Sequence, residues 1–256
     1  MHKCVLLLTE PLMKKNKDRL DLILLNKGMA NNLSHAQSLI LSKSVLVNGH
    51  YITQVGSSLP VDSKIELRKR NKYVSRGGIK LEHALKMTEI SINNKKCLDI
   101  GVSTGGFTDC LLQNGALFVE AIDSGYGQAA DKIRNHSKVK LRERTNARYI
   151  DQLDQLVDII TIDVSFISIL KILPNIRSSL KSNGDIIALV KPQFELPKKF
   201  IPNGGVVIDH LLHSQAIAKI VISLLKDNFI FRSVVRSPIK GASGNREFFI
   251  WMQNNE

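Results

Sequence analysis

The stretch Asp99-Ile100-Gly101-Val102-Ser103-Thr104-Gly105-Gly106-Phe107-Thr108-Asp109 joins two carboxylates to three glycines and three hydroxyls. Its glycines permit a tight strand-to-helix turn and close approach of backbone to a ligand. An exposed Asp99 starts the turn, and Asp123 ends the next apolar run about twenty residues on, where a carboxylate can grip ribose hydroxyls. The pattern alone fits a nicotinamide site and an S-adenosylmethionine site equally. Two further charged residues stand directly after apolar runs. Asp163 follows Ile159-Ile160-Thr161-Ile162, and Lys191 follows Ile186-Ile187-Ala188-Leu189-Val190. A lysine in such a place is costly to leave unpaired. Ligands of open α/β sheets bind at the carboxyl ends of strands, so both side chains are expected in one crevice. No hydride-transfer partners in a second domain are evident. Cys4, Cys97 and Cys110 have neither metal-site spacing nor a disulfide framework, so no metal is expected and the thiols read as small buried groups.

These residues need a scaffold, and the chain from Tyr73 onward supplies one as alternating strands and helices. Strands are expected at Cys97–Ile100, Leu117–Ile122, Val139–Leu141, Val157–Ile162 and Asp185–Val190. A helix follows the glycine turn as far as Asn114-Gly115, and a long amphipathic helix spans Ile208–Leu225. Two strands without a helix between them, Phe229–Val235 and Glu247–Met252, close the chain. Repeated strand–helix units imply an α/β fold, a mainly parallel sheet with helices on both faces, and the last pair implies an antiparallel edge.

The front of the chain differs. Residues 1–80 carry 14 Lys and Arg against 5 Asp and Glu, whereas the whole chain has a net charge of +13. Such a basic front end points to a polyanion. Leu20, Ile23 and Leu24 have helical spacing, Gly28 stops that turn, and Ser34 is the expected N-cap of a second helix carrying Ala36, Leu39 and Ile40. Apolar residues around Asn48-Gly49 signal a hairpin. "RLDLILLNKGM", "SHAQSLI" and "VLVNG" together resemble the S4 RNA-binding module, although His35 and Lys43 stand where that module usually has Arg and Gly. The resemblance implies a small α+β domain over residues 19–69, after an arm at 1–18 and before a linker at 70–75. It implies RNA contacts from Arg19, Ser34, His35, Gln37, Lys43, Asn48, Arg68, Lys69 and Arg70, with Arg76 beyond the linker.

A second resemblance begins at Tyr73 and implies a methyltransferase domain over residues 76–256. "YVSRGGIKLEHAL", "LDIGVSTGGFTDCLLQNGA", "IDSGYGQ", "ERTNAR", "IDVSFISI", "LVKPQFE", "GGVV" and "SPIKGASGNREFF" are similar to the TlyA family of ribosomal RNA 2'-O-ribose methyltransferases, sometimes described as haemolysins, and to the wider FtsJ/RrmJ group. This implies a Rossmann-like class I methyltransferase with a seven-stranded sheet. The implied cofactor is S-adenosyl-L-methionine, and the implied substrate is a cytidine ribose of 16S or 23S rRNA in a ribosomal subunit. The group's Lys-Asp-Lys-Glu tetrad falls on Lys80, Asp163, Lys191 and Glu247. Lys191 is the expected base, Lys80 the second cation, and the carboxylates hold the ammonium groups. Lysine lends itself to such a role because burial and a neighbouring cation lower its pKa. Cofactor contacts are expected from Asp99, Gly101, Ser103, Thr104, Gly105, Gly106, Phe107, Thr108, Asp123, Asn146 and Asp163.

Other chemistries fit less well. Amino methylation of adenine calls for Asp/Asn-Pro-Pro-aromatic where this chain has Asp163-Val164-Ser165-Phe166, and carbon methylation calls for a reactive cysteine, whereas Cys110 falls inside a helix. A non-catalytic RNA-binding or ribosome-assembly factor and a membrane-active haemolysin are the competing readings. No apolar stretch approaches the ~20 residues that span a bilayer, and the apolar run Val5–Leu8 is too short for a signal peptide, so a cytoplasmic location without a membrane partner is expected. Residues 1–12 are expected to add little to the fold. A chain begun at Met13 should therefore express as soluble protein, and its precipitation would show that the first twelve residues are needed.

Overall fold

A computed structural model describes residues 16–68, 72–150 and 153–255. The chain divides into two compact units, one ending at Arg70 and the other beginning at Asn71.

In the first unit, β1 (Lys17–Arg19) leads into α1 (Leu20–Asn26) and α2 (Leu33–Leu41), followed by β2 (Val45–Val47), β3 (His50–Tyr51), β4 (Ser58–Pro60) and β5 (Ile65–Leu67). Strands pair as β3-β2-β5 and β1-β4 around a core of Leu20, Ile23, Leu24, Ala36, Ile40, Val45, Val47 and Ile65. The β2–β3 turn has Asn48 at φ +50° and Gly49 at φ +83°, the left-handed pair that a two-residue hairpin requires. Two expectations are corrected. Lys17 and Asp18 are not arm residues, because β1 pairs antiparallel with β4, Lys17 opposite Pro60. Residues 1–15, with Cys4, lie outside the described residues. Ser34 does not cap α2. The chain is extended at Asn32 (φ −159°), whose side chain accepts from the His35 amide at 2.8 Å, and this places Ser34 inside the first turn.

The second unit begins earlier than the expected boundary. Lys69–Asn71 are outside the described residues, but Tyr73 is 2% exposed and belongs to the core rather than to a linker. The Val74 amide donates to Asp109 at 2.9 Å, and Ser75 caps α3 (Arg76–Thr88). Then follow β6 (Lys96–Ile100), α4 (Gly106–Gln113), β7 (Phe118–Ile122), α5 (Asp131–Arg134), β8 (Val139–Arg142), β9 (Val157–Ile162), α6 (Leu173–Ile176), β10 (Leu180–Val190), α7 (Pro192–Glu195), α8 (His210–Lys226), β11 (Phe229–Arg236) and β12 (Phe248–Asn254).

Seven strands form one sheet in the order β8-β7-β6-β9-β10-β12-β11. Neighbours from β8 to β10 are parallel, and β12 is antiparallel to both β10 and β11. The last two strands therefore form the expected antiparallel edge of the sheet, with β12 inserted between β10 and β11. Alternate side chains of the central strands enter two cores. Leu98, Ile100, Ile160 and Ile186 meet α6 and α8 on one face. Cys97, Ile159, Ile187 and Leu189 meet α3 and α4 on the other. The strand order reverses between β6 and β9, and this is where a doubly wound sheet opens a crevice for its ligands.

The second unit's α3 is fixed against Tyr73 by one glycine. A Cβ on Gly78 would lie 2.2 Å from Tyr73 Cγ. Gly78→Ala should destabilise the protein by about 1–3 kcal/mol, as overpacking does. The melting temperature should fall by roughly 2–4 °C per kcal/mol. An unchanged melt would mean that the ring moves aside freely.

Candidate active site

At the end of β6 the chain turns through Gly101 (φ +87°), where a Cβ would stand 2.3 Å from the Asp163 carbonyl oxygen. Only glycine lets the β6 and β9 ends approach so closely. The turn continues through Ser103 (φ +49°) and Gly105 (φ +96°) into α4. Gly105 leaves room for Ile133 and Gly106 for Ser75, so these two glycines serve packing around the loop. The Asp123 carboxylate, at the end of β7, takes the Ser103 amide on Oδ2 and the Gly125 amide on Oδ1, both at 2.6 Å. Each oxygen keeps a lone pair for a further donor.

A cavity of about 450 Å³ opens beside this loop, lined by Gly101, Ser103, Asp123, Asn146, Ala147, Asp163 and Phe166 among others. Asn146 Oδ1 accepts from the Arg148 amide at 3.1 Å, which orients its amide group. A second cavity of about 210 Å³ shares Gly101, Ser103, Asp163 and Ser165 with the first and adds Lys80, Phe107 and Lys191. The four tetrad residues meet here as two ion pairs. Lys191 Nζ lies 2.6 Å from Asp163 Oδ1 and 2.9 Å from Ser165 Oγ. Lys80 Nζ lies 2.5 Å from Glu247 Oε2. Lys80, Lys191 and Glu247 are all below 10% exposed. Buried pairs of this kind add little net stability, because desolvation offsets their attraction, so their placement points to chemistry.

Several expected contacts lie elsewhere. Asp99 is fully buried, not exposed. Its side chain faces α4, where Thr108 Oγ1 donates at 2.6 Å, and Thr161 Oγ1 donates at 2.8 Å from β9. Strand alternation explains this, since Asp99 shares the inward face with Cys97. Burial pushes its carboxyl up to about 6, the two hydroxyls opposing. Thr108 is equally buried behind the loop, and Thr104 lines neither cavity but accepts from the Ala130 amide at 3.1 Å. Cys110 is inside α4, and burial pushes its thiol up to about 12, which removes a thiolate route to carbon methylation.

Residues missed in the sequence include Ser165 and Phe166. Phe166 is 91% exposed at φ +65°, its ring tilted 48° to that of Phe194 with centroids 5.1 Å apart. An exposed aromatic in the left-handed region is held there at a cost of about 1–3 kcal/mol. In "IDVSFISI" it reads as one more apolar residue. Its loop is tied down by the buried Glu195, which accepts from Ser168 Oγ at 2.5 Å and the Ile169 amide at 2.9 Å, and whose carboxyl burial pushes up.

Among the expected RNA contacts, Arg19 and Gln37 converge on the buried Asp21, at 2.6 and 3.2 Å. The Arg19 hydrogen bond holds the Asp21 carboxyl below its usual range. Ser34, His35, Lys43, Asn48 and Arg68 are exposed, with Lys43 at φ +54° in the place usual for glycine. Arg68 donates to the Tyr51 hydroxyl at 2.7 Å. Lys69 and Arg70 are outside the described residues. Arg76, in the second unit, donates to the Lys240 carbonyl. Among the described residues, no group of His, Cys, Asp and Glu could hold a metal ion, and no helix is long and apolar enough to cross a membrane.

Comparison with known proteins agrees with this anatomy. Residues 73–254 match the FtsJ-like methyltransferase family and residues 18–64 match the S4 domain. Hemolysin A of Brachyspira hyodysenteriae is 40% identical over 90% of this chain and 97% of its own length. The 16S/23S rRNA (cytidine-2'-O)-methyltransferase TlyA of Mycobacterium tuberculosis is 36% identical over 92% of this chain and 89% of its own. A solved Streptococcus thermophilus structure, 34% identical, superposes with a TM-score of 0.72 over 94% of this chain and 90% of that one.

The raised Asp99 carboxyl has a pH signature. Between about pH 4, its ordinary value, and about pH 6, the native state holds a proton that the unfolded chain has lost. Raising pH through this window therefore weakens the native state. Asp99→Asn should lack this loss, so its stability relative to wild type should rise from pH 4 to pH 6 in urea melts. A difference independent of pH would show that Asp99 ionises normally.

Proposed function

Since the chain belongs to the FtsJ-like methyltransferase family and carries an S4 domain before the catalytic one, we propose that it methylates ribose 2'-hydroxyls of ribosomal RNA, using S-adenosylmethionine. The observation that carries this reading is the pair of buried ammonium–carboxylate contacts beside a glycine-lined cavity.

The larger cavity fits the cofactor's parts. Asp123 has free lone pairs for two ribose hydroxyls, Asn146 offers a polar edge beside the cavity, and Gly101 keeps the wall clear of side chains. When bound, S-adenosylmethionine supplies an electrophilic methyl group. The smaller cavity, where Lys191, Asp163 and Lys80 meet, is the place for the acceptor hydroxyl. A ribose hydroxyl is a weak acid and sheds its proton as its oxygen bonds carbon. Lys191 Nζ takes that proton as the neutral amine and becomes the ammonium, held in position by Asp163 and Ser165. Lys80, fixed by Glu247, adds positive charge next to the developing oxyanion. Holding the hydroxyl in line supplies further rate, since orientation alone contributes several kcal/mol.

The first unit supports an RNA substrate, and similarity to the mycobacterial enzyme supports cytidine in 16S and 23S rRNA, met in the cytoplasm. Membrane lysis, which one relative's name raises, is not adopted. The apolar face of α8 is already occupied, because Ala216, Ile220 and Leu224 are buried in the second unit.

The decisive test is transfer of labelled methyl groups to purified 30S, 50S and 70S particles. One alkali-resistant linkage should appear with wild type, and Lys191→Ala should slow its formation by about 10²–10⁴-fold. Equal label from both proteins would remove Lys191 from the mechanism. No label in any particle, with cofactor still bound, would indicate a non-catalytic assembly factor. Asp123→Ala should weaken S-adenosylmethionine binding in calorimetry by tenfold or more, because hydrogen bonds to a charged group contribute about 1.5–3 kcal/mol each.

A further inference from the structure

The loop between β11 and β12 enters the reaction only through Glu247. Its remaining residues surround a cavity of their own, of about 210 Å³, lined by Arg236, Ser237, Pro238, Ile239, Lys240 and Arg246. Half of these residues are cations, and none of the three forms an ion pair among the described residues. Elsewhere in this unit cations pair readily, as Lys72 does with Glu82, Arg134 with Glu143 and Lys181 with Asp158. A fourth cation, Arg76, donates to the Lys240 carbonyl and braces the loop from the start of α3.

The cavity wall is built before any ligand arrives. The Gly241 amide donates to Asn245 at 2.9 Å, the Gly244 amide to Gly241 at 3.0 Å, and the Ser237 amide to Glu247 at 2.9 Å. The loop also sits directly on the catalytic carboxylate. A Cβ on Gly241 would lie 2.4 Å from Glu247 Oε1, and Arg246 is the residue before Glu247. Unpaired like charges around one hollow repel each other, and an anion relieves that repulsion.

We propose that this hollow binds a backbone phosphate of the substrate RNA, next to the nucleotide whose ribose enters the smaller cavity. The inference rests on the RNA methylation reading above. A strand that presents a ribose carries a phosphodiester on either side of it, and the hollow adjoins the Lys80–Glu247 pair of that site. Arg and Lys are the donors suited to phosphate, Arg by its two-pronged guanidinium. Such binding positions the strand without reading its sequence.

The test is binding of an rRNA fragment by the full chain as a function of salt, for wild type and for the combined Arg236→Gln, Lys240→Gln, Arg246→Gln variant. Each phosphate that the protein ceases to neutralise lowers the slope of log K against log salt by about 0.7–0.9. The variant should show a slope lower by one to three such steps and weaker binding by tenfold or more at low salt, whatever the RNA sequence. S-adenosylmethionine affinity should match wild type, which establishes that the variant is folded. If the combined variant does not fold, Lys240→Gln alone, at an exposed position, should still lower the slope by about one step. An unchanged slope in a folded variant would overturn the proposal while leaving the methylation reading intact. Loss of inorganic phosphate binding without loss of RNA binding would assign the hollow to a free anion and also overturn it. Failure of wild type to bind RNA at all would remove both readings together.

Discussion

The second unit is organised around a single constraint, that two lysine side chains, one on α3 and one after β10, are kept nearly out of water. Each needs a carboxylate within about 2.6 Å, and the four residues come from four separate parts of the chain. Lys80 comes from α3, Asp163 from the end of β9, Lys191 from the end of β10 and Glu247 from the approach to β12. Removing one partner from a buried pair leaves an uncompensated charge, at a cost of about 3–5 kcal/mol. Sheet order, the Gly101 turn and the seating of α3 on Tyr73 can all be understood as conditions for these two contacts. The two adjoining cavities beside the Gly101 turn follow from the same arrangement.

The sequence made much of this legible, for identifiable reasons. Central strands are buried on both faces, and the end of β10 accordingly appears as the unbroken apolar run Ile186–Val190. Strand ends followed by a charge, Asp163 and Lys191, stood out because the surrounding residues are apolar. Other features depend on partners distant in sequence. Asp99 looks like the opening of a loop, yet the pleat of β6 turns it towards Thr108 and Thr161. Tyr73 follows a basic run and so reads as linker, whereas its ring fills the space that Gly78 leaves. Asn32 and Ser34 are both good cap formers, and only the backbone angle decides between them. Insertion of β12 cannot be read from two consecutive strand patterns, because pairing order lies in tertiary contacts.

The two units divide the physical work. In the first, a small core supports exposed cations and a buried carboxylate that aligns Arg19 and Gln37. Such a surface favours a polyanion through charge, an effect that salt weakens. Around the second unit's smaller cavity, charge is withdrawn from water and paired, so its effects are local and resist screening. The two units are therefore governed by electrostatics of different range.

Insertion of β12 between β10 and β11 also carries a consequence for how the active site comes into being. Lys80 and Glu247 are 167 residues apart, and the intervening chain contains six of the seven strands. Until β12 takes its place, β10 presents an open, apolar edge from Ile186 to Val190, and β11 has no neighbour through which to join the sheet. A ribosome making this protein releases the first unit and the glycine turn well before the strand that completes the tetrad. Closure of the last gap in the sheet and formation of the Lys80–Glu247 contact are one event, so a partly made chain has its complete first unit before the second unit's buried pairs can form.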